Sequence, residues 1–181
     1  GAVARLGHQK TPFEAFLDST LDRFSDWAVY AGIAVGYAGA TPANLTFVLL
    51  SMLAFFAAFL ISYTRARAED LIDACKVGFW QRGERSTAIL AATFAHNLPA
   101  LLVQQALLPS LTALRRIFYT RGVLAGRKPA GDPRGAGWAQ KLRLWRWPRG
   151  TWGYDLVAGA NLAWLLFARI PATDVLRLWL A

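Results

Sequence analysis

Asp18, Asp22 and Asp26 recur at every fourth residue of a stretch that otherwise reads as a largely apolar helix. Residues four apart share one helix face, so Asp18 and Asp22 aim at a common point. Ionised side chains are costly within a bilayer, and an even run of them marks a site more often than filler. Carboxylates that converge beside a phosphate-bearing substrate hold divalent metal, and one of them can take a proton from an attacking hydroxyl. Complementing the helix dipole would account for Asp18 alone. It does not account for three aspartates in register.

The rest of the chain must supply the helices that position these groups. Its 181 residues are 55% hydrophobic and 17% charged, whereas average soluble domains carry roughly 25% charged residues. Aromatics make up 13%, with eight tryptophans, a composition suited to the interfacial belts of membrane proteins. The net charge of +9 comes mainly from arginine, the residue preferred for forked binding of phosphate or carboxylate. Long apolar runs are foreign to soluble nucleic-acid binders, so no nucleic-acid partner is expected. Cys75 is the only cysteine, which rules out an intrachain disulfide and a cysteine-rich zinc site. His8 and His96 lie far apart, and no secretory signal is visible. Met52 is the only methionine, so the chain is expected to start inside a longer polypeptide, as a truncation or processing product.

A helical run over residues 13–40 carries the aspartates in its first half. Residues 45–63 are almost purely apolar and long enough to span a membrane. A polar segment over 69–81 follows, then a third span over 82–95, a break at His96-Asn97-Leu98-Pro99, and a fourth span over 100–119. Arg5, Lys10, Arg65, Arg67, Lys76, Arg82, Arg85, Arg115, Arg116 and Arg121 all fall on one side of this arrangement. The opposite turns, around 37–44 and 96–100, carry no lysine or arginine. The positive-inside rule then puts the aspartate end in the cytoplasm. Residues 122–150 turn rich in Gly, Pro, Arg, Lys and Trp, and 138–147 (WAQKLRLWRW) reads either as a segment along the membrane face or as a disordered basic linker. Residues 154–170 are apolar enough for a short or tilted extra span, although Asp155 and Arg169 weaken that reading.

The N-terminal residues resemble the CDP-alcohol phosphotransferase (CDP-alcohol phosphatidyltransferase) family of integral membrane enzymes. The family signature runs Asp, two residues, Asp-Gly, two residues, Ala-Arg, eight residues, Gly, three residues, Asp, three residues, Asp. Gly1, Ala4 and Arg5 fall on its Gly and Ala-Arg positions, and Asp18 and Asp22 on its last two aspartates, without a gap. The resemblance implies two divalent metals, Mg2+ or Mn2+, held by aspartates against the diphosphate of a CDP-linked donor. It makes Asp18 a metal ligand and Asp22 the base on the acceptor hydroxyl, counted with Asp18 at the metal site. It puts Gly1, Ala4, Arg5 and position 14 beside the CDP moiety. The first two signature aspartates, two of the metal ligands, are expected immediately upstream of Gly1. Position 14 is Glu where the family has Gly, which crowds the nucleotide, shifts donor preference or disables the site. Asp26 lies outside the signature and is expected to partner a nearby arginine.

Arg65, Arg85 and Arg116, with the run Ser62-Tyr63-Thr64-Arg65-Ala66-Arg67-Ala68-Glu69, resemble the prokaryotic phosphatidylinositol-phosphate synthases. There the matching basic residues form the pocket for the phosphate of inositol phosphate. The alternative is that all three are anchors that snorkel to headgroups, the role expected of Arg82 and Arg115. The resulting expectation is an all-α, polytopic transmembrane helical bundle, N-terminally truncated, with about four core spans and a possible extra C-terminal span. Its parts are a membrane domain over 1–121, a basic cytoplasmic segment over 122–150 and an apolar segment over 151–181. It would be a homodimeric enzyme of the cytoplasmic membrane. Its reaction would transfer a phosphatidyl group from CDP-diacylglycerol to a phosphorylated polyol, with inositol phosphate favoured and glycerol 3-phosphate the rival acceptor. A non-catalytic lipid-binding relic is the alternative from another class. A small anion transporter fits less well, because most spans lack mid-membrane charges.

Overall fold

The computed structural model describes residues 11–127 and 137–180, and among them there is helix but no strand. The aspartate helix α1 covers Pro12–Ala38, opened by Thr11 as N-cap and Pro12 in its first turn. The Thr11 hydroxyl accepts from the Glu14 amide and the Glu14 carboxylate accepts from the Thr11 amide, a reciprocal capping box. The turn at residues 39–44 leads into α2, Leu45–Glu69. Helix α3 covers Arg82–Phe94, and α4 covers Leu98–Leu124. The break expected at His96 and Asn97 separates them: His96 is left-handed (φ 52°) and Asn97 caps α4.

Alanines let the central helices approach closely. Ala54, Ala57 and Ala58 of α2 are fully buried, and with Phe47, Ser51 and Ile61 they recur at helical spacing. That small-residue stripe lies against α4 and α1, as in close helix–helix packing in membranes. Tyr30, Phe47, Ala54, Ala58 and Leu102 form one core cluster, and Ile61, Phe79, Trp80, Ala92, Leu101 and Leu165 belong to a second. The segment between α2 and α3, polar by composition, buries Cys75, Val77, Phe79 and Trp80 within the bundle.

Among the described residues one helix, α2, is long and apolar enough to cross a membrane. The third expected span is a helix of 13 residues, about 20 Å at 1.5 Å per residue, short of the roughly 30 Å hydrocarbon core. Helix α1 is long enough but carries Glu14, Asp18, Asp22, Arg23 and Asp26, and α4 ends on Arg115, Arg116 and Arg121. Large apolar side chains nevertheless face outward on several helices, among them Phe24, Phe56, Leu90, Phe118 and Phe167.

The C-terminal part folds onto this core. Helix α5 is Trp138–Leu144, α6 is Trp152–Phe167 and α7 is Val175–Leu180. Leu144 is buried beside Cys75 and Val77, and its carbonyl accepts from the Gly78 amide at 3.1 Å. Arg115 lies 4.7 Å from the Trp145 ring centroid. The described part of the basic segment is therefore packed structure and not a linker. At the far end, the Asn97 amide donates to the carbonyls of Leu165 and Ala168 at 2.8 and 2.7 Å. Asp174 accepts from the Leu45 and Thr46 amides and the Thr46 hydroxyl at the start of α2.

Candidate active site

The first half of α1, the C-terminal ends of α2 and α4 and the N-terminus of α3 meet at one end of the bundle around a cavity of ≈ 490 Å³. Asp22, Arg23, Arg65, Arg82, Arg85 and Arg116 all line it. Four of these, Asp22, Arg65, Arg85 and Arg116, are residues singled out from sequence, brought together here from four helices. Among the described residues Asp22 is the only acid in the lining, so the cavity as described carries a surplus of positive charge suited to a phosphorylated ligand.

The arginines differ in what they already hold. Arg85 is 2% exposed and donates to Asp26 at 2.9 Å, so α1 and α3 are joined by a buried ion pair. Arg23 also reaches Asp26, at 3.3 Å, and donates to the Ala58 carbonyl at 3.2 Å and to the Ser62 hydroxyl. Asp26 is thus an arginine partner. Arg116, 3% exposed, donates to the carbonyls of Val77 and Ile61, which fixes α4 to the end of α2 and to the 70–81 segment. Arg65 is partly exposed and pairs with Glu69 at 3.0 Å within its own helix. Arg82, read from sequence as an anchor, instead forms an ion pair with Asp22. Arg23 and Arg82 were missed as site residues, although the i,i+3 spacing of Arg23 and Asp26 was a visible signal.

Asp18 is exposed one turn before Asp22 and outside the cavity lining, as is Glu14, whose carboxylate is engaged in the capping box. Gly1, Ala4 and Arg5 lie outside the described residues. Among the described residues no three His, Cys, Asp or Glu side chains gather as a metal site. Asp18 and Asp22 are hard oxygen donors at i,i+4 on one face, and they fit a divalent ion as part of a larger ligand set.

The family model for CDP-alcohol phosphatidyltransferases matches residues 1–122, and so takes in the whole of this cavity. The chain belongs to that family. CDP-alcohol phosphatidyltransferases are membrane enzymes and generally depend on a divalent metal. The chain is 39% identical over 125 residues to the archaetidylinositol phosphate synthase of Methanothermobacter thermautotrophicus, an alignment covering 66% of this chain and 60% of that protein. The protein of the same name from Aeropyrum pernix is 37% identical, with 68% of this chain and 63% of that protein covered. The phosphatidylinositol phosphate synthase of Cutibacterium acnes is 32% identical, over 67% of this chain and 65% of that protein. The chain therefore spans somewhat less than two thirds of the length of these relatives. No solved structure matches it. Everything after residue 122 lies outside the family match.

That C-terminal part still reaches the site end of the bundle. Glu84 of α3, adjacent to Arg85, accepts from Arg149 Nη2 at 2.7 Å and from the Tyr154 hydroxyl at 2.9 Å. The hydrogen bond to Glu84, reinforced by its charge, holds the Arg149 guanidinium above its ordinary pKa. Burial raises the Cys75 thiol, in the segment before α3, above its usual value.

Proposed function

We propose that the protein transfers a phosphatidyl group from CDP-diacylglycerol to a phosphorylated polyol, inositol phosphate in the first place, and releases CMP. The observation that carries this reading is the shared cavity of Asp22 with Arg65, Arg85 and Arg116. The names of the relatives from Methanothermobacter thermautotrophicus and Cutibacterium acnes favour inositol phosphate over glycerol 3-phosphate. In this reading the arginines hold the acceptor's phosphate, with Arg65 the most accessible and Arg85 and Arg116 fixed behind it. Asp22 takes the proton of the acceptor hydroxyl. The hydroxyl oxygen forms a new bond to the lipid-bearing phosphorus, the bond from that phosphorus to the CMP oxygen breaks, and CMP leaves with the electron pair. Arg82, paired with Asp22, holds the carboxylate in place until the acceptor hydroxyl reaches it.

Asp18 and Asp22 would contribute to a Mg2+ or Mn2+ site completed by the signature aspartates expected upstream of Gly1. Bound metal would neutralise charge on the donor diphosphate. Gly1, Ala4 and Arg5 would lie beside the CDP moiety, with Glu14 shaping that end. The reading also carries a multi-pass homodimer in the cytoplasmic membrane with its active site on the cytoplasmic face. The domain division at 121 and 150 belongs to it as well.

The test is CMP release by the full-length protein in CDP-diacylglycerol micelles with Mg2+, offered inositol phosphate or glycerol 3-phosphate. Release with inositol phosphate, lost in Asp22→Asn, is the expected result. Release only with glycerol 3-phosphate would reassign the acceptor. A folded protein that binds CDP-diacylglycerol but releases no CMP with either would make it a lipid-binding relic.

A further inference from the structure

Helix α3 is held from two sides. Arg82 and Arg85, three residues apart, share the face turned to α1, where they pair with Asp22 and Asp26. Glu84 leaves the helix on another face and meets the C-terminal part. Its Oε1 accepts from Arg149 Nη2 at 2.7 Å, from Arg149 Nε at 3.1 Å and from the Tyr154 hydroxyl at 2.9 Å. Its Oε2 accepts at 3.2 Å from the amide of Gln81, a residue that lines the active-site cavity. The Glu84 side chain is 6% exposed, so water competes little for these charge-assisted bonds. The sequence leaves room for them. Gly83 lacks the Cβ that would stand 3.1 Å from Arg149 Nη2, and Gly153 lacks the one that would run into the Trp147 ring. Thr151 caps α6 and donates to the Pro148 carbonyl at 2.7 Å, which brings Arg149 and Tyr154 to Glu84 as one unit. At 13 residues α3 is short, and it packs on α6 as well as on α4. Arg149, Tyr154 and the rest of α6 lie beyond residue 122, outside the family match.

We propose that Arg149 and Tyr154, acting through Glu84, are positioning residues: they set the first turn of α3 so that Arg82 meets Asp22 and Arg85 meets Asp26. The catalytic consequence rests on the transferase reading above; the clamp on α3 does not. The arginine side chains that reach α1 are long and rotamer-rich, so the two ion pairs alone leave the backbone of α3 free to shift. Glu84 is shorter and is held at both oxygens, which fixes the same turn from another flank. A shift of that turn moves Arg82 and Arg85 together, and misplacement by about 1 Å costs up to ~100-fold in rate. An addition outside the family core thus sets the geometry inside it.

The experiment uses the full-length protein in lipid nanodiscs, with Arg149→Ala, Arg149→Lys, Tyr154→Phe and the double variant Arg149→Ala with Tyr154→Phe. The Arg149 side chain is 63% exposed and Tyr154→Phe keeps the ring against Phe79, so none of these opens the core. Hydrogen exchange is followed at the amides of residues 85–88 in α3, with residues 54–58 of α2 as internal reference. Exchange over 85–88 is expected to quicken about 10-fold in Arg149→Ala and further in the double variant, as charge-assisted bonds are lost. The reference stretch stays unchanged, and Arg149→Lys stays close to the parent. CMP release is then measured against inositol phosphate and against CDP-diacylglycerol. In Arg149→Ala the KM for inositol phosphate should rise and kcat fall, each by about 3- to 10-fold. The KM for CDP-diacylglycerol stays within about twofold. A clamp that only stabilises the fold would lower the active fraction and leave both KM values in place, and that result overturns the positioning role. Unchanged exchange over 85–88 in the double variant overturns the clamp altogether. Faster exchange in the variants, with no CMP release even by the parent, would sink the transferase reading and leave the clamp standing.

Discussion

Replacing Asp26 by asparagine removes the acid that, among the described residues, holds Arg85, whose side chain is 3% exposed. The amide keeps the shape but not the charge, so a buried guanidinium is left without a counter-ion. Breaking a buried pair from one side costs about 3–5 kcal/mol. Arg23 also loses its ionic contact, but its side chain is 21% exposed and solvent screens part of that loss. The expected cost is therefore near the lower bound, about 3 kcal/mol, which for a chain of this length lowers Tm by about 6–12 °C. Arg85→Met leaves Asp26 with Arg23 at 3.3 Å, and the smaller loss expected is about 1–2 kcal/mol. The double variant Asp26→Asn with Arg85→Met removes the stranded charge and should recover most of the difference from Arg85→Met alone. Thermal unfolding of the detergent-solubilised protein, followed by intrinsic tryptophan fluorescence, measures all four forms. A Tm for Asp26→Asn within about 2 °C of the parent, below 1 kcal/mol by the same conversion, would refute the reasoning. So would a double variant no more stable than Asp26→Asn.

Gly78 has φ 97° and its added Cβ would run into Thr112 Cγ2, so Gly78→Ala should cost about 2 kcal/mol or more, read as a drop in Tm. Thr112→Ser relieves only the clash and should rescue only part of the loss. Cys75 is fully buried and its thiol is raised by that burial, so a maleimide should label the native protein slowly and the denatured protein at once. Fast native labelling would show that the 70–81 segment opens. Hydrogen bonds from the Thr46 hydroxyl and from the Leu45, Arg177 and Thr46 amides hold the Asp174 carboxyl at about 2. Its folded pKa lies below the unfolded value of about 4, so its stabilisation is present above pH ~4 and is lost as pH falls toward ~2. The Tm gap between the parent and Asp174→Asn should stay constant above that window and shrink within it, and a gap independent of acid would refute the assignment.

Helix placement was largely legible. Thr11-Pro12, with Glu14 three residues after the cap, marks the start of α1, and His96-Asn97-Leu98-Pro99 marks the break before α4. The grouping of Asp22 with Arg65, Arg85 and Arg116 could also be anticipated, because charges at alternating helix ends collect on one side of an antiparallel bundle. The 70–81 segment was less legible. Its polar composition conceals Cys75, Val77, Phe79 and Trp80, which are buried by contacts with residues far along the chain.

By itself the sequence determined the spacing of Asp18, Asp22 and Asp26, the helical faces they occupy and the side of the bundle that gathers the cations. These are local properties, set by a period of about 3.6 residues and by the cost of charge in an apolar medium. The tertiary structure alone decided which charge meets which. It matched Asp22 with Arg82, Asp26 with Arg85, and Glu84 with Arg149 and Tyr154. Those pairings join residues tens of positions apart, and several chemically equivalent arginines were available to each acid. Only the packing of α1, α3 and the C-terminal segment fixes which guanidinium lies within hydrogen-bond reach of which acid.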